Sequence, residues 1–153
     1  FYNMSKVAKD SPLSEITLRR YEKPAELSNR DKIKKICLSL GLLQPGDSRD
    51  IIVDVLAVLL ESSRKKEFLS SEQITSYVAD TRKELNLPLK GIASSNIRRQ
   101  TKRLKDLFII ENINNKYRIT EFDSLDNIFQ EKIKPYYIQN IISRIQDYLK
   151  TIK

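Results

Sequence analysis

The chain contains no histidine and no tryptophan, a single cysteine, and only three glycines in 153 residues. Each shortage removes something. Without histidine there is no His-based general acid or base, no Ser-His-Asp or Cys-His nucleophile pair and no Cys/His zinc set. A lone cysteine, Cys37, forbids a disulfide within the chain. It sits in "IKKICLSLGL" at core-like helical spacing, so it reads as a small buried apolar residue suited to a reducing cytoplasm. No glycine-rich phosphate loop is present. The paired carboxylates Glu121 with Asp123, and Asp123 with Asp126, fall near a helix start and read as caps and dipole partners. Catalysis is therefore not expected, and neither a metal nor a cofactor is called for. Long apolar runs are missing as well. The longest, "IIVDVLAVLL", has ten residues and includes Asp54, far short of the ~20 needed to span a bilayer. No membrane partner is expected. Met4 is the only methionine and is taken as the native start, with Phe1 to Asn3 an added remnant.

Charge is abundant. Twenty-eight Lys and Arg against 20 Asp and Glu give a formal net charge of +8, in a chain that is 31% charged and 40% hydrophobic. That balance is globular rather than disordered, and the excess of cations favours an anionic partner.

Three regions are expected: an N-terminal arm or short helix over 1–27, a central domain over 28–120, and a C-terminal helical segment over 121–153. In the arm, Ser11 and Pro12 signal a helix start and Pro24 its end. Its Arg19 and Arg20 suit either a minor-groove arm or a patch for basal transcription machinery, while Leu13, Ile16 and Leu18 suit docking on the core. A helix follows from about Asn29 to Leu40, with Ile33, Ile36, Cys37 and Leu40 inward and Gly41 closing it. The next helix, from about Arg49 to Glu61 with Asp47 or Ser48 as cap, is apolar nearly all round and should be central. Phe68 and Leu69 can form a one-rung strand. "SSEQITSYVADTRKELN" reads as a capped helix with Ile74, Tyr77, Val78 and Leu85 on its apolar face. After a helix from about Ala93 to Leu107 the period changes. Phe108 to Glu111 and Lys116 to Thr120 read as two short strands around an Asn-rich tip. The overall class is mainly α with a small β-hairpin. From Arg49 to Thr120 the order is that of a winged helix-turn-helix, flanked by N- and C-terminal helices.

The third helix of that core is "SSNIRRQTKRLKD". At about 100° per residue, Ile97, Thr101, Leu104 and Phe108 share one sector and should face the core. Ser95, Asn96, Arg99, Lys102 and Arg103 point away, with Arg98 on a flank. Lys90 and the five cations of this helix meet no carboxylate before Asp106. Exposed faces ordinarily interleave Glu with Lys; this one accepts like-charge repulsion, which an arriving anion would relieve. Arg reads guanine, Asn reads adenine, and Ser and Lys suit phosphates. Ser95, Asn96, Arg98, Arg99, Lys102 and Arg103 are accordingly the candidate contacts to double-stranded DNA. Asn114, Asn115, Lys116 and Arg118 on the hairpin are secondary candidates, although Asn also suits tight turns for its own sake. On the last helix, Ile138, Ile141, Ile142, Ile145 and Leu149 recur at helical spacing, a stripe expected to form a homodimer or to dock on its own domain.

The segments "DSPLSEITLRRYEKP" and "KKICLSLGLLQPGDSRDIIVDVL" resemble a family of euryarchaeal winged helix-turn-helix regulators that activate the operons of the archaellum. The resemblance covers nearly the whole chain and implies a promoter-binding activator acting upstream of motility genes. A sequence-tolerant architectural or partition DNA binder, and an interaction module binding no nucleic acid, are the alternatives.

Overall fold

The computed structural model describes Pro24 and residues 26–153. The helix expected over 10–24 and its Arg19 and Arg20 lie outside the described residues, Pro24 apart. The described chain is mainly helical, with one small three-stranded antiparallel sheet.

Helix α1 (Asn29–Ser39) starts at Ser28, whose Oγ accepts from the Asp31 amide at 3.1 Å. It ends at Leu40, with Gly41 following as expected; the Leu42 amide returns to the Cys37 carbonyl at 2.9 Å. Ile33 and Cys37 are its buried residues.

Helix α2 (Ile51–Arg64) is central, packed against α1 and three later elements. It starts two residues later than the sequence suggested. Asp47 Oδ1 accepts from the Arg49 amide within the connection, at 2.9 Å. Asp50 stands at the N-cap without capping the helix, because its carboxylate is held by two arginines.

Strand β1 (Leu69–Ser70) leads directly into α3 (Ser71–Glu84). A capping box makes the junction: Ser70 Oγ accepts from the Gln73 amide, and Gln73 Oε1 accepts from the Ser70 amide. Ile74 and Val78 are buried as expected, whereas Tyr77 and Leu85 are exposed. The position one turn beyond Val78 belongs to Arg82 instead, which is only 3% exposed.

Helix α4 (Ser94–Asp106) is followed by the hairpin β2 (Ile110–Ile113) and β3 (Lys116–Ile119). The sheet order is β1-β3-β2, all antiparallel, with Leu69 opposite Tyr117 and Ile110 opposite Ile119. The first hairpin strand begins two residues later than expected, so Asn112 and Ile113 belong to it and the tip is Asn114–Asn115. Both tip residues have positive φ, 52° and 62°. That matches a two-residue primed turn, which Asn tolerates better than other non-glycine residues.

Phe108 corrects an expectation. It faces away from the core, is 39% exposed and adopts a φ of 64°. Helical phase does not reach it, since α4 stops at Asp106; Leu107 and Ile109 are the residues buried on either side.

Past a 3-10 turn at Thr120–Phe122, Ser124 caps α5 (Leu125–Ile128), which runs on through a π-helical stretch (Phe129–Ile138) into α6 (Gln139–Thr151). Pro135 lies inside this continuous run. A proline ring lacks the N–H and crowds the carbonyl four residues back; here the wider π turn absorbs it, so the helix continues. Ile128 and Ile133 join the core, while every residue of α6 is exposed.

Candidate nucleic-acid interface

The inner stripe of α4 is as the sequence arranges it: Ile97, Thr101 and Leu104 are fully buried. Thr101 hides its hydroxyl by donating to the Arg98 carbonyl at 2.8 Å. With that stripe fixed, the opposite face points outward.

The six candidate residues divide into two sets. Ser95, Arg98, Arg99 and Lys102 are exposed. Neither Arg98 nor Arg99 has an ion pair among the described residues. Lys102 Nζ lies 2.9 Å from Asp106 Oδ2, an exposed pair that water and salt screen. Asn96 and Arg103 are half-buried and occupied. Asn96 Nδ2 donates to the Gly91 carbonyl at 2.7 Å and its Oδ1 accepts from Gln100 Nε2 at 3.0 Å. Gln100 Oε1 accepts from Arg103 Nη1 at 2.9 Å, and Arg103 Nη2 reaches the Gly41 carbonyl at 3.4 Å. One turn apart, these three side chains fasten α4 to the α3–α4 connection at one end and to the α1–α2 connection at the other. Their part is positioning, and Gln100 is a member the sequence alone did not disclose.

Gly91 makes the same junction from the other side. Its φ is 90°, and a Cβ there would stand 3.1 Å from both Asn96 Nδ2 and Ile51 Cγ1. This close approach sets the connection before α4 against Ile51, the first residue of α2.

Beneath lies a cluster that hydropathy did not reveal. Arg82 Nη1 is 2.6 Å from Asp54 Oδ2 and 3.1 Å from Asp50 Oδ1. Arg30 Nε is 2.9 Å from Asp54 Oδ1, and its Nη2 is 3.0 Å from Asp50 Oδ2. Arg82 Nε also donates to the Pro88 carbonyl at 2.6 Å. Two cations and two carboxylates therefore cancel in the interior, tying α1, α2, α3 and the connection into α4. Burial pushes the Asp50 carboxyl up, but hydrogen bonds and charge from Arg30 and Arg82 outweigh it and hold the group below its ordinary range. The Arg30 guanidinium is raised, chiefly by its hydrogen bond to Asp54. The available signal was spacing: Asp50 and Asp54 share one face a turn apart, and buried carboxylates require partners.

On the hairpin, Asn114, Asn115 and Lys116 are exposed at the tip. Arg118 is committed elsewhere. Its Nε lies 2.7 Å from Glu111 Oε2, and its guanidinium sits 5.0 Å from the Phe68 ring centre and 4.7 Å from that of Phe122. Glu111 Oε2 accepts from the Glu121 amide as well, at 3.0 Å. Arg118 anchors the hairpin base.

The C-terminal end of α4 carries an aromatic joint. Phe108 lies 5.8 Å from the ring centre of Tyr136 and 5.7 Å from that of Tyr137, and the Tyr137 hydroxyl donates to the Asp106 carbonyl. The π-helical segment is thereby pinned to the end of the basic helix.

Among the described residues no helix is long and apolar enough to cross a membrane, and no group of three or more His, Cys, Asp or Glu stands ready to hold a metal ion. Comparison with protein-family models, curated proteins and solved structures yields no match.

Proposed function

We propose that the chain is a sequence-specific DNA-binding regulator of transcription with a winged helix-turn-helix core. In this reading α2, α3 and α4 form the three-helix core, α4 enters the major groove, and the β2–β3 hairpin is the wing. The carrying observation is the division of α4: one face fully buried, the other presenting Ser95, Arg98, Arg99 and Lys102, with Lys102–Asp106 the one ion pair on that face among the described residues. Arg98 and Arg99 are the residues for guanine edges, Ser95 and Lys102 for phosphates. Asn96, Gln100 and Arg103 hold the helix at its angle. Lys116 and the Asn114–Asn115 tip are free to approach the backbone, whereas Arg118 is withheld. The resemblance of the N-terminal and α1–α2 segments to euryarchaeal archaellum-operon activators supports placing the chain at promoters of motility genes.

Selection of bound duplexes from a random pool, followed by anisotropy titration, tests this. Arg99→Ala is expected to cost about 1–3 kcal/mol on the selected site and to relax sequence preference there. Lys102→Ala is expected to weaken all duplexes alike and to reduce the salt slope by about one. Equal affinity of the wild type for selected and random duplexes would leave a sequence-tolerant binder. Absence of any salt-sensitive DNA binding would end the DNA reading and favour an interaction module.

A further inference from the structure

We propose that the apolar face of α6 is a self-association surface, and that its occupant is the same face of a second copy of this chain. Ile141, Ile142, Ile145, Tyr148, Leu149 and Ile152 are between 40% and 72% exposed. No part of the described chain covers them, so the alternative expectation, docking of this helix on its own domain, does not occur among the described residues.

The spacing favours a copy over an unrelated partner. Ile142, Ile145 and Leu149 within α6, with Ile138 just before it, alternate four and three residues apart, the period at which two helices keep one seam in contact by supercoiling; Ile152 follows just past the helix end. Ile141 and Tyr148 widen the seam on one side; the neutral Gln139 and Gln146 border it on the other. The charged residues Arg144, Asp147 and Lys150 lie on the far face. Two copies of a chain carrying +8 can thus bring these stripes together without apposing like charges. A surface repeated on both partners is self-complementary about a two-fold axis. From the exposed fractions, pairing would remove at most on the order of 1,200 Å² from water over both copies, which reaches only the lower edge of stable interfaces. The 13 residues of α6 extend past the last core contacts of this run at Ile128 and Ile133, and covering their apolar face would add stability that the exposed helix lacks.

The test uses the full chain without DNA, so its failure is separate from any failure of the DNA reading. Sedimentation equilibrium at micromolar concentration should give at least twice the mass of one chain. The double variant Ile142→Asp/Ile145→Asp should give a single-chain mass while keeping the thermal transition of the core, since neither side chain is buried. Arg144→Glu, on the far face, should still associate. To show contact directly, Ile145→Cys is oxidised: the position lies mid-stripe and meets its own mate in parallel or antiparallel pairing, and Cys37 is buried. It should form an intermolecular disulfide where Ser143→Cys does not. A monomeric wild type, an aspartate variant that still associates, or equal cross-linking at 143 and 145 would each overturn the proposal. So would a monomer that co-sediments with phosphatidylglycerol vesicles through α6, which would make the occupant a lipid surface.

Discussion

Asp54 sits in the middle of the most apolar stretch of the chain, fully buried between Arg30 and Arg82. Removing its charge leaves two guanidinium groups sharing Asp50 alone. Asp54→Asn should therefore destabilise by about 3–5 kcal/mol, the usual penalty for breaking a buried ion pair from one side; urea unfolding at neutral pH measures it. Asp50 adds a pH dependence. Its carboxyl is held below the ordinary value of about 3.9 in the folded state. The stability it contributes is thus fully present above that value and is lost as pH falls through the folded value. A thermal midpoint followed from pH 7 to pH 3 should drop through the acidic limb, less steeply in Asp50→Asn. Part of the limb should survive in that variant. Glu111 is also held low, its burial outweighed by the Glu121 amide and by Arg118. Cys37 is the converse case: burial pushes its thiol up to about 12, so it stays an inert core residue. That much was legible from one apolar spacing. The charge cluster was not, because each member lies on a different element or turn and only the fold brings the four together.

At the scale of elements, α4 shows how far periodicity carries and where it stops. Its buried stripe and outward cations follow from a rotation of 100° per residue, and Ile97, Thr101 and Leu104 obey it. The same arithmetic fails at Phe108, which lies past the helix end with φ positive; an angle has no meaning beyond the last helical residue. Periodicity also gives direction without occupancy. It placed Asn96 and Arg103 outward, yet hydrogen bonds to Gly91, Gln100 and Gly41 decide what they do. The hairpin was readable from its β-branched and aromatic residues. The continuity of the helix across Pro135 was not, since a π turn leaves no simple pattern. The junction before α4 can be tested by mutation. Gly91→Ala combines a positive φ with a Cβ 3.1 Å from Ile51 and Asn96, whereas at Gly46, also at positive φ, nothing lies within 4 Å. Gly46→Ala should cost about 1–2 kcal/mol for the backbone conformation alone, and Gly91→Ala measurably more. Equal losses in chemical denaturation would mean that the close approach at Gly91 carries no weight.

Across the described residues, charge and apolar surface are sorted into separate places. Neutralised charge lies inside with Arg30, Arg82, Asp50 and Asp54; Arg98 and Arg99, without ion pairs among the described residues, lie along α4; exposed hydrocarbon lies on α6. The joint of Phe108, Tyr136 and Tyr137 connects the last two, so the end of α4 and the start of α6 share one anchor. Beyond that anchor the core asks nothing of α6, none of whose residues is buried. Replacing Gln139–Lys153 by an unrelated two-stranded zipper should leave the thermal transition of the core unchanged within about 0.5 kcal/mol, the scale of substitutions away from packed features. Calorimetry of both chains checks this.

The same exposure has a consequence over generations. Substitutions in α6 are screened only by what meets that helix, not by the fold that carries it. On the self-association proposed above, a change in this segment need only suit the surface that meets it.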